Sequence, residues 1–141
     1  MNLIKIFTDY INRAKQEAGK NYSIQSQFSP VDETKREGWI GVDLDGTLAR
    51  SDNLLSLAKI GKPVPKMIKR VEQMIEKGVR VKIFTARASE PQQIILIKNW
   101  LSENSLPELE ITNIKDYDMI RLYDDRAVQV IANTGDIVEI L

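Results

Sequence analysis

From Trp39 onward, short apolar runs typical of β-strands alternate with segments whose apolar residues recur at helical spacing. The runs predict strands over residues 39–43, 79–84, 109–112, 119–123 and 137–140. The helical spacing predicts helices over residues 65–77 and 91–103, the first of which stops at Gly78. This alternation predicts an α/β fold with three Rossmann-like layers, in which helices cover both faces of a mainly parallel five-stranded sheet.

The first 37 residues follow a different pattern. Apolar residues at helical spacing predict an amphipathic helix over residues 3–17, and the polar composition of residues 19–37 predicts a connector. We therefore divide the chain into a leader, residues 1–37, and a compact domain, residues 38–141. Both charge signs occur on the polar face of the leader helix, which favours a packing role over a membrane anchor. The same helix is a candidate cover for a functional site or a contact between subunits.

Composition removes several classes of site. The chain has 141 residues, which fits one ordinary domain, and contains neither cysteine nor histidine. Thiol phosphatases, zinc-thiolate sites, disulfides, Ser-His-Asp triads and histidine-bound metals are therefore excluded, and acid–base work must fall on Asp or Glu. A net charge of zero argues against a broadly basic nucleic-acid surface. No apolar stretch reaches the roughly 20 residues that span a bilayer, and the lack of cysteine favours a cytoplasmic location.

Two carboxylates stand one residue apart where the first predicted strand ends, in the run Asp43-Leu44-Asp45-Gly46-Thr47. Two negative groups in so small a volume are stable only if a cation binds or one carboxyl keeps its proton. With Mg²⁺ present, one carboxylate can attack phosphorus while the other exchanges protons with the leaving group and with water. The run therefore indicates a phosphate-processing site.

The ends of other predicted strands carry further polar residues, namely Thr85, Arg87, Lys115, Asp124 and Asp125. The carboxyl ends of parallel strands meet at one edge of a sheet, where ligands bind in open α/β folds. We therefore expect one site, in which the acidic residues supply oxygen ligands to Mg²⁺. Thr85 and Lys115 are expected to hold a phosphoryl group through a hydroxyl and an ammonium.

Taken together, the first run, Thr85, Lys115 and the Asp124-Asp125 pair resemble the four sequence motifs of the haloacid dehalogenase (HAD) superfamily, over about residues 39–141. The resemblance implies a Mg²⁺-dependent phosphomonoesterase in which Asp43 forms an aspartyl-phosphate and Asp45 is the general acid/base. It implies phosphate-binding roles for Thr85, Arg87 and Lys115. It also implies a metal site made by Asp43, Asp45 through its backbone carbonyl, Asp124 and Asp125.

Among small members of the superfamily, Thr85-Ala86-Arg87 with Asp124-Asp125-Arg126 is similar to the phosphatase half of phage polynucleotide kinase, which has glycine where this chain has Ala86. The implied partner is a phosphorylated small molecule, a nucleotide or a nucleic-acid 3′-phosphate. The intervals between the motifs leave no room for a large cap domain. Residues 51–62 are the candidate substrate loop, with Arg50, Lys59 and Lys62 as candidate contacts.

Other interpretations stay open. Asp43 and Asp45 fit a structural turn, Thr85 fits a helix N-cap, and Arg87 and Arg126 fit simple ion pairs with the acidic residues. A receiver-type signalling domain uses similar residues, but its acidic pair precedes the phosphoacceptor, whereas here the pair comes last. A catalytically idle HAD-fold interaction module is the third alternative, against which the complete acidic set argues.

Overall fold

The computed structural model describes residues 38–52 and 57–138. The described strands and helices follow in the order β1 (Trp39–Val42), α1 (Pro65–Glu76), β2 (Arg80–Phe84), a short 3₁₀ helix (Ala86–Ser89), α2 (Pro91–Glu103), β3 (Glu110–Thr112) and β4 (Met119–Tyr123). Both α-helices have proline in the first turn, where its missing N–H is not needed. Strands and helices alternate along the described chain from β1 to β3, and this confirms the predicted α/β class.

The four described strands form one parallel sheet in the order β3-β2-β1-β4. β1 lies in the interior of the sheet and all of its residues are buried. The chain moves outward from β1 to β2 and β3 and then returns to the other side of β1 as β4. A reversal of this kind opens a crevice at the carboxyl ends of the strands beside β1.

Both helices pack against the same face of the sheet. Ile40 and Val42 point to that face because alternate strand residues share a side, and they join one core with residues of α1 and α2. Right-handed crossovers in one direction place successive helices on one side, which explains the arrangement. The link from β3 to β4 has no helix that could cover the other face. The predicted second helical layer is therefore not seen in the described part of the chain.

The other sheet face carries polar as well as aromatic groups. Trp39 is fully buried there, and the ammonium of Lys82 lies 4.4 Å from the centroid of its ring. Lys82 also forms an ion pair with Glu110 at 3.1 Å. Because its charge has both an aromatic and an acidic partner, the almost complete burial of Lys82 is tolerated.

The four described strands and both α-helices begin and end within one residue of the predicted bounds, whereas the 3₁₀ helix Ala86–Ser89 was not predicted. The predicted strand 137–140 is described only as far as residue 138, and Ile137 makes an isolated antiparallel bridge with Val130. The leader helix 3–17 and the connector 19–37 lie outside the described residues. No helix within residues 38–52 and 57–138 is both long and apolar enough to cross a bilayer.

Candidate functional site

A single helical turn follows β1 and directs its polar side chains to the carboxyl edge of the sheet. The amides of Leu48 and Ala49 donate to the carbonyl of Leu44 at 3.0 and 2.9 Å. Leu44 and Leu48 are completely buried and hold the turn on the core. The amide of Asp43 donates to the carbonyl of Tyr123 at 2.9 Å, which extends the pairing of β1 with β4 by one step. Asp43 therefore stands beside the end of β4.

Asp43, Asp124 and Asp125 converge at this edge, with one carboxylate oxygen from each lying within 4.8 Å of the others. Thr47 ties the cluster together, because its hydroxyl accepts from the amide of Asp125 at 3.0 Å and lies 3.1 Å from the Oδ1 of that residue. The amide of Arg126 donates to Asp124 Oδ1 at 2.7 Å. Three predicted metal ligands are thus brought together, and Thr47, to which the sequence assigned no role, organises them.

Burial and the crowding of carboxylates in this cluster raise the proton affinity of Asp43. Burial, and after it the charge of Asp124, raises the pKa of Asp43 from 3.8 to about 7. A divalent cation at these oxygens would lower the pKa of Asp43 again, since it favours the ionised carboxylate. The donor set consists of hard carboxylate oxygens, which suits Mg²⁺ or Ca²⁺ and not a soft metal.

Asp43→Asn should therefore alter the pH dependence of stability. In the folded, metal-free protein the pKa of Asp43 is about 7, above its ordinary value of 3.8. The folded state holds the proton more tightly, and this stabilisation is lost as pH rises from about 4 to 7. In the native chain we expect the free energy of unfolding to fall by on the order of 1–2 kcal/mol between low and high pH because of Asp43, after allowance for its partial exposure. In Asp43→Asn this part of the decrease should be absent. Urea titrations at pH 5 and pH 8 measure it, and an unchanged difference between the two pH values would contradict the raised pKa.

The side chain of Asp45 faces Arg87. The guanidinium of Arg87 donates from Nε to Asp45 Oδ2 at 2.6 Å and from Nη2 to Asp45 Oδ1 at 2.9 Å. This is a bidentate ion pair, the arrangement that the geometry of a guanidinium and a carboxylate favours. Because both of its oxygens are used in this way, the carboxylate of Asp45 does not join the acidic cluster. Its predicted role in the metal site, through the backbone carbonyl, stays a prediction.

Arg87 is only 8% exposed, and its remaining donors also have partners. Nη1 donates to the carbonyl of Leu57 at 3.2 Å and to Gln93 Oε1 at 2.7 Å, while Nη2 donates to the carbonyl of Lys59 at 3.0 Å. A guanidinium has five N–H donors, and all five are used here within the protein. The sequence predicted that Arg87 binds phosphate, but the donors needed for phosphate are occupied. Gln93 was not foreseen because it stands inside an ordinary helical pattern.

Thr85 and Lys115 differ in their relation to the site. Thr85 is buried, lines the cleft, and its hydroxyl oxygen accepts from the amide of Arg87 at 3.2 Å, as expected of an N-cap. An accepting hydroxyl can still donate its own hydrogen, so the cap leaves Thr85 able to contact phosphate. Lys115 is exposed and is not among the residues that line the cleft. Its predicted contact with a phosphoryl group in this cleft therefore stays a prediction.

A cleft of about 1210 Å³ opens over this edge of the sheet. Its floor includes Asp43, Asp45 and Asp124, and several cationic residues border it, namely Arg50, Lys59, Lys62 and Arg126. The candidate contacts Arg50, Lys59 and Lys62 are thus at the cleft, although residues 53–56 of the candidate substrate loop lie outside the described part of the chain. Arg50 is engaged with Asp52 at 2.8 Å, which partly neutralises it.

Gly46 is required by the packing of the acidic cluster. It has a φ of +93°, and a Cβ atom there would lie 2.5 Å from Asp125 Oδ2. We expect Gly46→Ala to displace Asp125 and to weaken divalent-cation binding by about 10–100-fold, the usual effect of disturbing the support of a ligand. Isothermal titration with Mg²⁺ measures this change.

Gly78→Ala is the matched control, since Gly78 has a φ of +79° and a Cβ atom there would meet no atom within 4 Å. Both substitutions introduce backbone strain of about 1–2 kcal/mol, but only Gly46→Ala adds the clash with a carboxylate. Equal cation affinity in the two variants would contradict the expected effect of displacing Asp125.

Comparison with known proteins adds fold information only. No family model matches the chain, and no curated protein matches it. Among solved structures, the chain is similar to a conserved protein from Bacteroides thetaiotaomicron, with a TM-score of 0.52 and 19% identity over 65% of this chain and 78% of that one. At this identity the likeness supports an α/β fold and carries no assignment of function.

Proposed function

We propose that this chain is a Mg²⁺-dependent phosphomonoester hydrolase of the HAD type. The observation that carries the proposal is the convergence of Asp43, Asp124 and Asp125 from two neighbouring strand ends, within 4.8 Å of one another, beside a cleft that Asp45 also lines. Carboxylates brought so close from distant parts of a chain are costly unless a cation compensates them or one carboxyl keeps its proton, and the hard oxygen donors at the edge of a cleft favour the cation. If Asp43 only stabilised a turn, there would be no reason for Asp124 and Asp125 to lie beside it.

In the proposed reaction, Asp43 attacks the phosphorus atom, so that a bond from its carboxylate oxygen to phosphorus forms as the ester P–O bond breaks. Asp45 enters this step as the neutral acid, gives its proton to the departing oxygen and becomes the carboxylate that pairs with Arg87. Water then attacks the aspartyl-phosphate, Asp45 takes the proton of that water, and phosphate leaves Asp43 free. When bound by Asp43, Asp124 and Asp125, Mg²⁺ supplies positive charge that offsets the repulsion between carboxylate and phosphate.

The residues around the cleft support a substrate with additional negative charge. Lys59, Lys62 and Arg126 border it, and Thr85 offers a hydroxyl. Lys115 does not line the cleft, so these cations are better placed to attract a phosphate ester. We propose a phosphorylated small molecule, a nucleotide or a nucleic-acid end as the substrate, and a cytoplasmic location. The full HAD layering with a fifth strand belongs to the same proposal.

A direct assay tests the function. Hydrolysis of p-nitrophenyl phosphate, sugar phosphates, nucleotides and 3′-phosphorylated oligonucleotides is measured with Mg²⁺ and with EDTA. We expect a rate with Mg²⁺ at least about tenfold above that in EDTA, restored when Mg²⁺ is returned. Phosphorylation of Asp43 by acetyl phosphate without turnover would instead indicate the receiver-type alternative. Absence of both activities, with intact folding, would support the idle module.

A further inference from the structure

Arg87 differs from a substrate-binding arginine in that all of its hydrogen-bond donors are used within the protein. It is buried, its five donors are used within the protein, and its partners come from three separate parts of the chain. These are Asp45 after β1, the carbonyls of Leu57 and Lys59 in the candidate substrate loop, and Gln93 in α2. Transferring any of these donors to a ligand would break a contact that keeps a buried charge satisfied.

Gln93 completes the connection between α2 and the loop. Its Oε1 accepts from Arg87 Nη1 at 2.7 Å, and its Nε2 donates to the carbonyl of Leu57 at 2.8 Å. The carbonyl of Leu57 therefore receives donors from both side chains. A loop carbonyl with two side-chain donors is fixed in direction, and this restrains the described backbone that follows it, residues 58 and 59.

We propose that Arg87 and Gln93 form a clamp, the set of hydrogen bonds that joins these two side chains to each other, to Asp45 and to the carbonyls of Leu57 and Lys59. The clamp orients the carboxylate of Asp45 and fixes the position of residues 57–59 relative to it. For Asp45 the inference rests on the proposed function, in which this carboxylate is the acid/base. Arg87 is then a positioning residue and not a phosphate ligand. Because the clamp includes the carbonyl of Lys59, it also fixes the backbone of this residue, which lines the cleft.

The clamp has a consequence that does not depend on catalysis. Asp45 and the loop are joined through Arg87, so a change at Asp45 should loosen residues 57–59, although no hydrogen bond or ion pair described in the structure joins Asp45 to them directly. Trypsin reports this loosening, because it cuts residues 57–62 after Lys59 and not after Lys62, which precedes Pro63. We expect Gln93→Leu, Arg87→Lys and Asp45→Asn each to speed cleavage after Lys59 by about tenfold, through more frequent local opening.

Gln92→Leu is the matched control, since Gln92 is the exposed neighbour of Gln93 in the same helix and does not line the cleft. Its rate of cleavage after Lys59 should equal that of the native chain. Thermal unfolding of each variant identifies global destabilisation, which would speed cleavage at every site. If cleavage after Lys59 is unchanged in both Gln93→Leu and Asp45→Asn, the clamp does not exist, whatever the activity of the protein.

Kinetics test the positioning role. With p-nitrophenyl phosphate, we expect Gln93→Leu to lower kcat by about tenfold and to change KM by less than about twofold. In an Asp45→Asn background the same substitution should have no further effect on kcat, because it acts through Asp45. A rise in KM with kcat preserved, or additive losses in the double variant, would overturn the positioning role. A native chain without phosphatase activity would refute the proposed function, and proteolysis alone would then decide on the clamp.

Discussion

Asp43→Asn is expected to abolish turnover, with kcat falling by at least about 10⁴-fold. The amide is nearly isosteric with the carboxylate but is a very weak nucleophile, and the neighbouring carboxylates have other roles in the proposed site. Asp124 and Asp125 are committed to the same cluster, and the carboxylate of Asp45 is held by Arg87. Steady-state hydrolysis of the best substrate in the panel, together with a search for phosphate bound to the protein, measures the loss.

Asp136→Asn is the matched control for this substitution. Asp136 is exposed and does not line the cleft, so the same chemical change there should leave kcat unaltered. Normal turnover by Asp43→Asn would refute the nucleophile assignment. Loss of turnover with an aspartyl-phosphate still formed would mean that a different residue is the acceptor.

The sequence was sufficient to predict the acidic cluster because that cluster depends on strand order and strand ends. Asp43 and Asp124 each follow directly on a parallel strand, and neighbouring parallel strands bring their carboxyl ends together regardless of loop details. The same reasoning predicted Thr85, which follows β2. Position along a regular element is thus readable from periodicity alone.

The contacts of Arg87 were not readable in this way. Its partners include the carbonyls of Leu57 and Lys59, whose directions depend on the path of an irregular loop and not on any side-chain pattern. Lys115 illustrates the same limit, because the loop between β3 and β4 leaves it exposed and not among the residues that line the cleft. Residues in loops can be assigned to an edge of the sheet from sequence, but their orientation requires coordinates.

The layering could have been predicted more closely. Residues 113–118 are too few for a helix between β3 and β4, so no crossover helix from that link can cover the second sheet face. Helices 65–77 and 91–103 both belong to crossovers that proceed in one direction from β1. Applied to these lengths, the right-handed rule puts both helices on one face, which is the arrangement observed.

The second large effect is expected for Asp45→Asn, which should lower kcat by about 10²–10⁴-fold. An amide cannot protonate the departing oxygen or take a proton from water, so both chemical steps lose their acid/base. The two steps can be separated by choice of substrate. A p-nitrophenolate leaving group needs little protonation, whereas a sugar alkoxide needs it fully. With p-nitrophenyl phosphate, formation of the aspartyl-phosphate should therefore continue while its hydrolysis stalls.

That difference gives a qualitative signature. Asp45→Asn should release p-nitrophenol in a burst close to one equivalent per chain and then turn over slowly, and it should show no burst with a sugar phosphate. Asp118→Asn, an exposed carboxylate that does not line the cleft, should show neither effect. Equal losses with both substrates and no burst would mean that Asp45 supports the fold through Arg87 and does not transfer protons. Since Arg87 loses its charged partner in this variant, thermal unfolding is measured alongside, and only a burst from folded protein supports the acid/base role.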